Sequence, residues 1–77
     1  MKDIEIYREP VELYKLLKFE GLASSGGEAK TLIGEGLVAV NGEVETRKRR
    51  KILAGDIVEL AGEQFRVQLK SPVIPGQ

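Results

Sequence analysis

The chain contains no cysteine, no histidine and no tryptophan. Without cysteine no disulfide framework can form, and without either cysteine or histidine zinc and iron–sulfur centres lose their usual donors. Nucleophilic catalysis is equally short of parts: no serine has a plausible base in sequence reach, and the carboxylates are spaced as solvated faces are. Neither an enzyme nor a cofactor is therefore expected. No apolar stretch resembles a signal peptide or a membrane span, so a cytoplasmic protein with no membrane partner is the expectation.

What is present is brief. Seventy-seven residues make one small domain, and a chain of this length buries only about 60% of its unfolded surface. Twelve basic side chains balance twelve acidic ones for a formal net charge of zero. The distribution is uneven, because Arg47, Lys48, Arg49, Arg50 and Lys51 place five of the twelve cations in consecutive positions. A polyanion responds to such a local field rather than to the total. A solvated surface loop is the plain alternative for any run of this kind. Mutual repulsion among five like charges makes more sense if a phosphate backbone neutralises them, and each arginine can fork two N–H bonds onto one phosphate.

Periodicity orders the rest. Asp3-Ile4-Glu5-Ile6-Tyr7 alternates as a short strand does. Pro10 suits the first turn of a helix carrying Val11, Leu13, Leu16 and Leu17, with Gly21 as its C-terminal stop. Ser25 followed by Glu28 has the spacing of a capping box, opening a second helix with Ala29, Leu32 and Ile33 on one stripe and Gly34 or Gly36 at its end. From residue 37 the period is two. Val38 and Val40 lead into Asn41-Gly42, a hairpin signal whose turn needs φ > 0 at both positions. Val44 opens the return strand, the basic run interrupts it, and Ile52 re-enters the core. Gly55-Asp56 turns the chain into strands 57–60 and 64–69, joined through Gly62-Glu63. The tail 71–77 has two prolines and few anchors, and a flexible segment is expected there. The glycines of 21–27 have the first spacing of a P-loop but lack the Lys-Ser/Thr that must follow, so helix capping accounts for them. The fold class is α+β.

The features Leu13-x-x-x-Leu17, Gly21, Ser25-x-x-x-Ala29-x-x-Leu32-Ile33-x-x-Gly36-x-Val38-x-Val40-Asn41-Gly42 and Gly55-Asp56-x-Val58 resemble the S-four type RNA-binding domain. That domain is shared by a small-subunit ribosomal protein, several RNA-modifying enzymes and short stand-alone bacterial proteins. The likeness runs over residues 12–61, and with no catalytic domain attached the chain is similar to the stand-alone members. It implies two N-terminal helices packed on a small curved antiparallel sheet, the alpha-L motif, in a single domain over residues 1–70. It also implies RNA lying across the second helix and the loop after the hairpin. Carried over by position, the resemblance makes Lys30 and the run Arg47, Lys48, Arg49, Arg50 and Lys51 the RNA-binding residues. One departure stands out: the family usually has Arg or Lys directly after the second helix's serine, and here that residue is Gly26.

The implied partner is structured RNA, ribosomal or transfer, met alone or within the ribosome or another ribonucleoprotein, by a monomer. Sequence-specific readers of RNA stack splayed bases on aromatic rings. Tyr7, Tyr14, Phe19 and Phe65 are the only aromatics, and the last three are expected in the core, which favours phosphate contacts and shape. The rival reading is a protein–protein adaptor whose basic loop docks an acidic partner.

Overall fold

In the computed structural model, which describes residues 1–70, the chain forms seven strands and two helices around one core. The strands are β1 (Lys2–Ile6), β2 (Val11–Glu12), β3 (Val38–Val40), β4 (Glu43–Val44), β5 (Lys51–Ile52), β6 (Ile57–Leu60) and β7 (Glu63–Leu69). Helices α1 (Leu13–Phe19) and α2 (Gly26–Gly34) lie between β2 and β3. Five strands form one sheet in the order β1-β7-β6-β3-β4, and β2 pairs with β5 separately. The expected tail, 71–77, lies outside the described residues.

Alternation of side chains decides which face of each strand is buried. Ile4 and Ile6 of β1, Val38 and Val40 of β3, Val58 of β6, and Phe65 and Val67 of β7 all turn inward. Leu13, Leu16 and Leu17 of α1 and Ala29 and Ile33 of α2 cover them, each at helical spacing. Burying that apolar surface is the main force holding so small a domain.

Several sequence expectations need correction. The sheet is mixed rather than antiparallel, because β1 runs parallel to β7 with Lys2 opposite Phe65 and Ile6 opposite Leu69. Alternation identifies a strand but carries no information about its partner's direction. Helix α1 starts at Leu13, not at Pro10, since Val11 and Glu12 are drawn into pairing with Ile52 and Lys51. Phe19 is not in the core: it stands two residues beyond Leu17, off the 13/16/17 stripe, and is 72% exposed. Tyr14 is half-buried, and only Phe65 of the three is enclosed. The capping box is offset by one residue. Ser25 Oγ accepts from the Glu28 N–H as expected, but the Glu28 carboxylate accepts from the N–H and hydroxyl of Ser24. Those two bonds, the hydroxyl's first, hold the Glu28 carboxyl below its ordinary pKa.

Two tight hairpins shape the sheet. Asn41 and Gly42 take φ of +53° and +85°, as their dipeptide demands. The second turn falls on Ala61-Gly62 rather than Gly62-Glu63, with φ of +54° and +79°. The first hairpin is tied to the turn before β6. Asn41 donates from Nδ2 to Asp56 Oδ1 at 3.1 Å and accepts from the Ile57 N–H at 2.9 Å, while Asp56 Oδ2 accepts from the Leu53 N–H at 2.8 Å. The Asn-Gly and Gly-Asp pieces of the sequence are thus one hydrogen-bonded network.

Candidate nucleic-acid interface

The basic segment leaves the sheet at β4 and rejoins the fold at β5, and three sets of bonds fix its path. The Glu45 N–H donates to the Val38 carbonyl at 2.9 Å, holding the entry. At the exit, β5 pairs with β2 immediately before α1. Between them, the first amides of α1 find their acceptors in the loop. Leu13 N–H donates to the Arg50 carbonyl at 2.9 Å and Tyr14 N–H to the Lys48 carbonyl at 3.1 Å. Helix α1 has no side-chain N-cap, so the loop's own main chain satisfies two amides that would otherwise lack partners. The helix end and the loop position each other.

Inside the loop sits a carboxylate that composition alone did not single out. Glu45 is 6% exposed, the one buried charged residue among those described. Arg47 donates to it three times, from N, Nε and Nη2, at 2.9–3.0 Å, and Arg50 adds a bond from Nη1 at 2.7 Å. These bonds, Arg47's first and Arg50's second, hold the Glu45 carboxyl far below the usual carboxylate range, and the same contact raises the Arg47 guanidinium. Bidentate, charge-assisted pairing of this kind fixes geometry as well as charge. Repulsion within the run is thereby relieved from inside the loop. Its signal in the sequence was a single acid two residues ahead of five cations.

The remaining cations divide between two surfaces. Arg47, Arg49, Arg50 and Lys51 line an open hollow of about 600 Å³ with no acidic residue in its wall. Arg49 reaches Glu12 at 3.5 Å, an exposed pair of small energetic weight. Lys48 turns to the other side, its Cε 3.9 Å from where a Cβ would stand on Gly34 of α2. Lys30 of the same helix places its ammonium 4.7 Å from the centre of the Tyr14 ring, a cation–π distance. Neither Lys30, Lys48 nor Lys51 has an acidic partner among the described residues. Tyr14 links the two surfaces, since its amide binds the loop and its ring supports Lys30.

Gly26, the first residue of α2, also lies against Tyr14. A Cβ there would sit 3.9 Å from two ring carbons, in ordinary contact, so a larger residue has room. The six residues expected from the sequence therefore lie around one end of α1 and along α2. Tyr14 and Glu45 were missed because their roles are to hold cations rather than to be cations. Among the described residues, no group of three or more Asp or Glu side chains could hold a metal ion, and no helix is long and apolar enough to cross a membrane.

Two helices packed on a mixed sheet, with a cationic loop locked to the first helix, define a small α+β domain of the alpha-L type. The sequence matches the S4 domain family over residues 4–68, and the chain belongs to that family. Among its relatives, the putative RNA-binding protein YbcJ of Escherichia coli K12 is 56% identical over 57 residues, 74% of this chain and 81% of that one. The probable ribosome maturation protein RlbA of Bacillus subtilis 168 is 41% identical over 59 residues, 77% of this chain and 83% of that one. The solution structure of E. coli YbcJ, described as revealing an αL motif involved in RNA binding, superimposes with a TM-score of 0.67 at 48% identity. It covers 88% of this chain and 87% of its own.

Proposed function

We propose that the protein is a non-catalytic RNA-binding domain that grips structured RNA through phosphate contacts from the 47–51 loop and from Lys30 on α2. The observation that carries this reading is the hollow walled only by Arg47, Arg49, Arg50 and Lys51. Its cations are held in place by a buried carboxylate and by the end of α1. A loop so braced presents its charge in a fixed pattern, which suits a rigid polyanion better than a flexible one. Lys30 and Lys48 extend the same field along α2, and the spacing favours shape and phosphate readout over base reading. Relatives named for RNA binding and for ribosome maturation support ribosomal RNA, free or in an assembling particle, as the first target to test.

The test must spare the brace. Arg47 and Arg50 hold Glu45, so replacing them disturbs the loop as well as its charge. Lys48, Arg49 and Lys51 make no bond to Glu45. Changing these three to Gln lowers affinity for many structured RNAs alike, and each lost phosphate contact removes about 0.7–0.9 from the slope of log K against log salt. Filter binding across a salt series reads both quantities. Wild-type affinity and slope in the triple variant would transfer the loop to the adaptor reading, with an acidic protein as its partner.

A further inference from the structure

The loop and α2 leave one large concavity unused. It lies between the chain leaving β1 and the outer side of α1, has a volume of about 840 Å³, and is lined by Tyr7, Arg8, Pro10, Lys15, Lys18 and Phe19 among others. Three of the protein's four aromatic rings are in this lining: Tyr14 is half-buried, while Tyr7 and Phe19 stand in solvent, at 67% and 72% exposure. Neither of the exposed two contributes to the core, which is complete without them. A small domain gains nothing in stability from displaying two large rings at one groove, and such display is characteristic of a contact surface.

The charges of the groove indicate the kind of contact. Of its acids, Glu5 is engaged by Lys70 at 3.4 Å, and Glu12 by Lys15 at 3.1 Å and Arg49 at 3.5 Å. Arg8 and Lys18 have no acidic partner among the described residues, and Glu20 is the lining acid left without a cation. The lining has three cations and three acids, and its unpaired charges are two cations against one acid beside the two exposed rings. Aromatic faces flanked by Lys and Arg are what unpaired nucleotides bind, the rings stacking on bases while the cations follow the backbone. The groove also includes Tyr14 and Gly26 in its wall, the same residues that border Lys30 and the start of α2. It is therefore continuous with the candidate interface.

We infer that this groove is a second binding site, taking the unpaired bases of a single-stranded RNA segment that flanks the structured part held by the 47–51 loop. The inference rests on the RNA-binding reading above and extends it: the loop grips folded RNA, and Tyr7 and Phe19 receive its unpaired extension. A ligand of this form, a stem with a free strand beside it, is distinct from the purely double-stranded shape that the loop alone would select.

Fluorescence anisotropy with a blunt RNA hairpin, and with the same hairpin carrying a short oligoadenosine tail on its 5′ or 3′ end, separates the two sites. The proteins compared are the wild type and the Tyr7→Ala/Phe19→Ala double variant, with thermal melting to establish that the variant is folded. Both positions are exposed, so the fold is expected to persist. The wild type should bind one tailed hairpin roughly 5-fold or more tightly than the blunt one. The variant should lose that advantage while binding the blunt hairpin as the wild type does. Equal affinity of the wild type for tailed and blunt hairpins overturns the groove but leaves the loop site standing, as does a tail advantage that survives in the variant. Failure to bind any hairpin overturns the RNA reading itself. Self-association of the wild type that the double variant lacks, with no tail advantage, would assign the groove to a second copy of the chain and overturn the proposal.

Discussion

The two sides of the sheet are held by different forces. On one side β7, seven residues long, lies between β1 and β6 and pairs with both, so its order comes from main-chain hydrogen bonds and apolar burial. On the other, β4 has two residues, and beyond it the chain is held by one carboxylate and by two amides at the end of α1. The first arrangement rests on uncharged bonds and burial, and its ion pairs, Lys2–Glu63 and Lys70–Glu5, are exposed and of small weight. The second takes its shape from charge and can be altered by it. The candidate interface lies where strand pairing stops, which is where a nucleic acid's charge would be felt most.

The largest effect expected from perturbing this arrangement is on the shared core. Leu17 is fully buried in the single core cluster. Leu17→Ala should cost about 2–5 kcal/mol, read as a lower urea midpoint by circular dichroism. Loop and sheet should then melt together, and separate transitions would mean they are independent units.

Next comes the brace. Glu45→Gln leaves Arg50, itself half-buried, facing a neutral group, at a cost of about 2 kcal/mol, below the 3–5 kcal/mol typical of a broken buried pair because Arg50 keeps some access to water. Hydrogen exchange should accelerate in the amides of residues 46–50 and not in those of β6 and β7. Acid should do the same to the wild type. Since the folded pKa of Glu45 is depressed, its contribution is complete above the unfolded carboxylate value, about 4.3, and is lost as pH falls through the folded value. The melting temperature should therefore drop below about pH 4, and Glu45→Gln should flatten that drop.

The smallest effects come from the two turns, which have the same backbone and different residues. Gly42→Val should destabilise by about 1 kcal/mol or more, entirely through backbone strain, because nothing lies within 4 Å of the added Cβ. Ala61→Gly should stabilise by up to about 1 kcal/mol, since alanine at φ +54° carries strain that glycine does not. Opposite shifts in melting temperature are expected. Shifts of the same sign would mean that the turns are not equivalent.

These turns also indicate what the sequence can reveal. Asn41-Gly42 is legible because both residues accept positive φ, so the residue types report the conformation directly. Ala61 hides its turn, since alanine rarely adopts that geometry and is held there by the strands on either side. The helices followed from their apolar stripes. Phe19 departs from expectation because its position off the 13/16/17 stripe outweighs its aromatic character. The loop cations were visible as a run, and Lys30 followed from the family's pattern. Glu45 was not visible as their brace, because its role depends on burial and on how Arg47 and Arg50 fold back onto it rather than on any motif. Parallel pairing of β1 with β7 was beyond reach for a similar reason: it joins residues 2–6 to residues 65–69, and nothing local encodes a partner so distant.

That long-range pairing has a consequence for how the molecule assembles. Helices, hairpins and the β3–β6 contact close over short stretches of chain, whereas β1 can be placed only after β7 exists. Closing so long a loop is an entropic cost that nearby contacts do not carry. During synthesis β1 is made before the β7 it pairs with, and until residues 65–69 emerge the Ile4 and Ile6 side chains have no β7 to pack beside. Lys2, Asp3 and Glu5, interleaved with those isoleucines, keep the waiting strand from pairing with itself in another molecule.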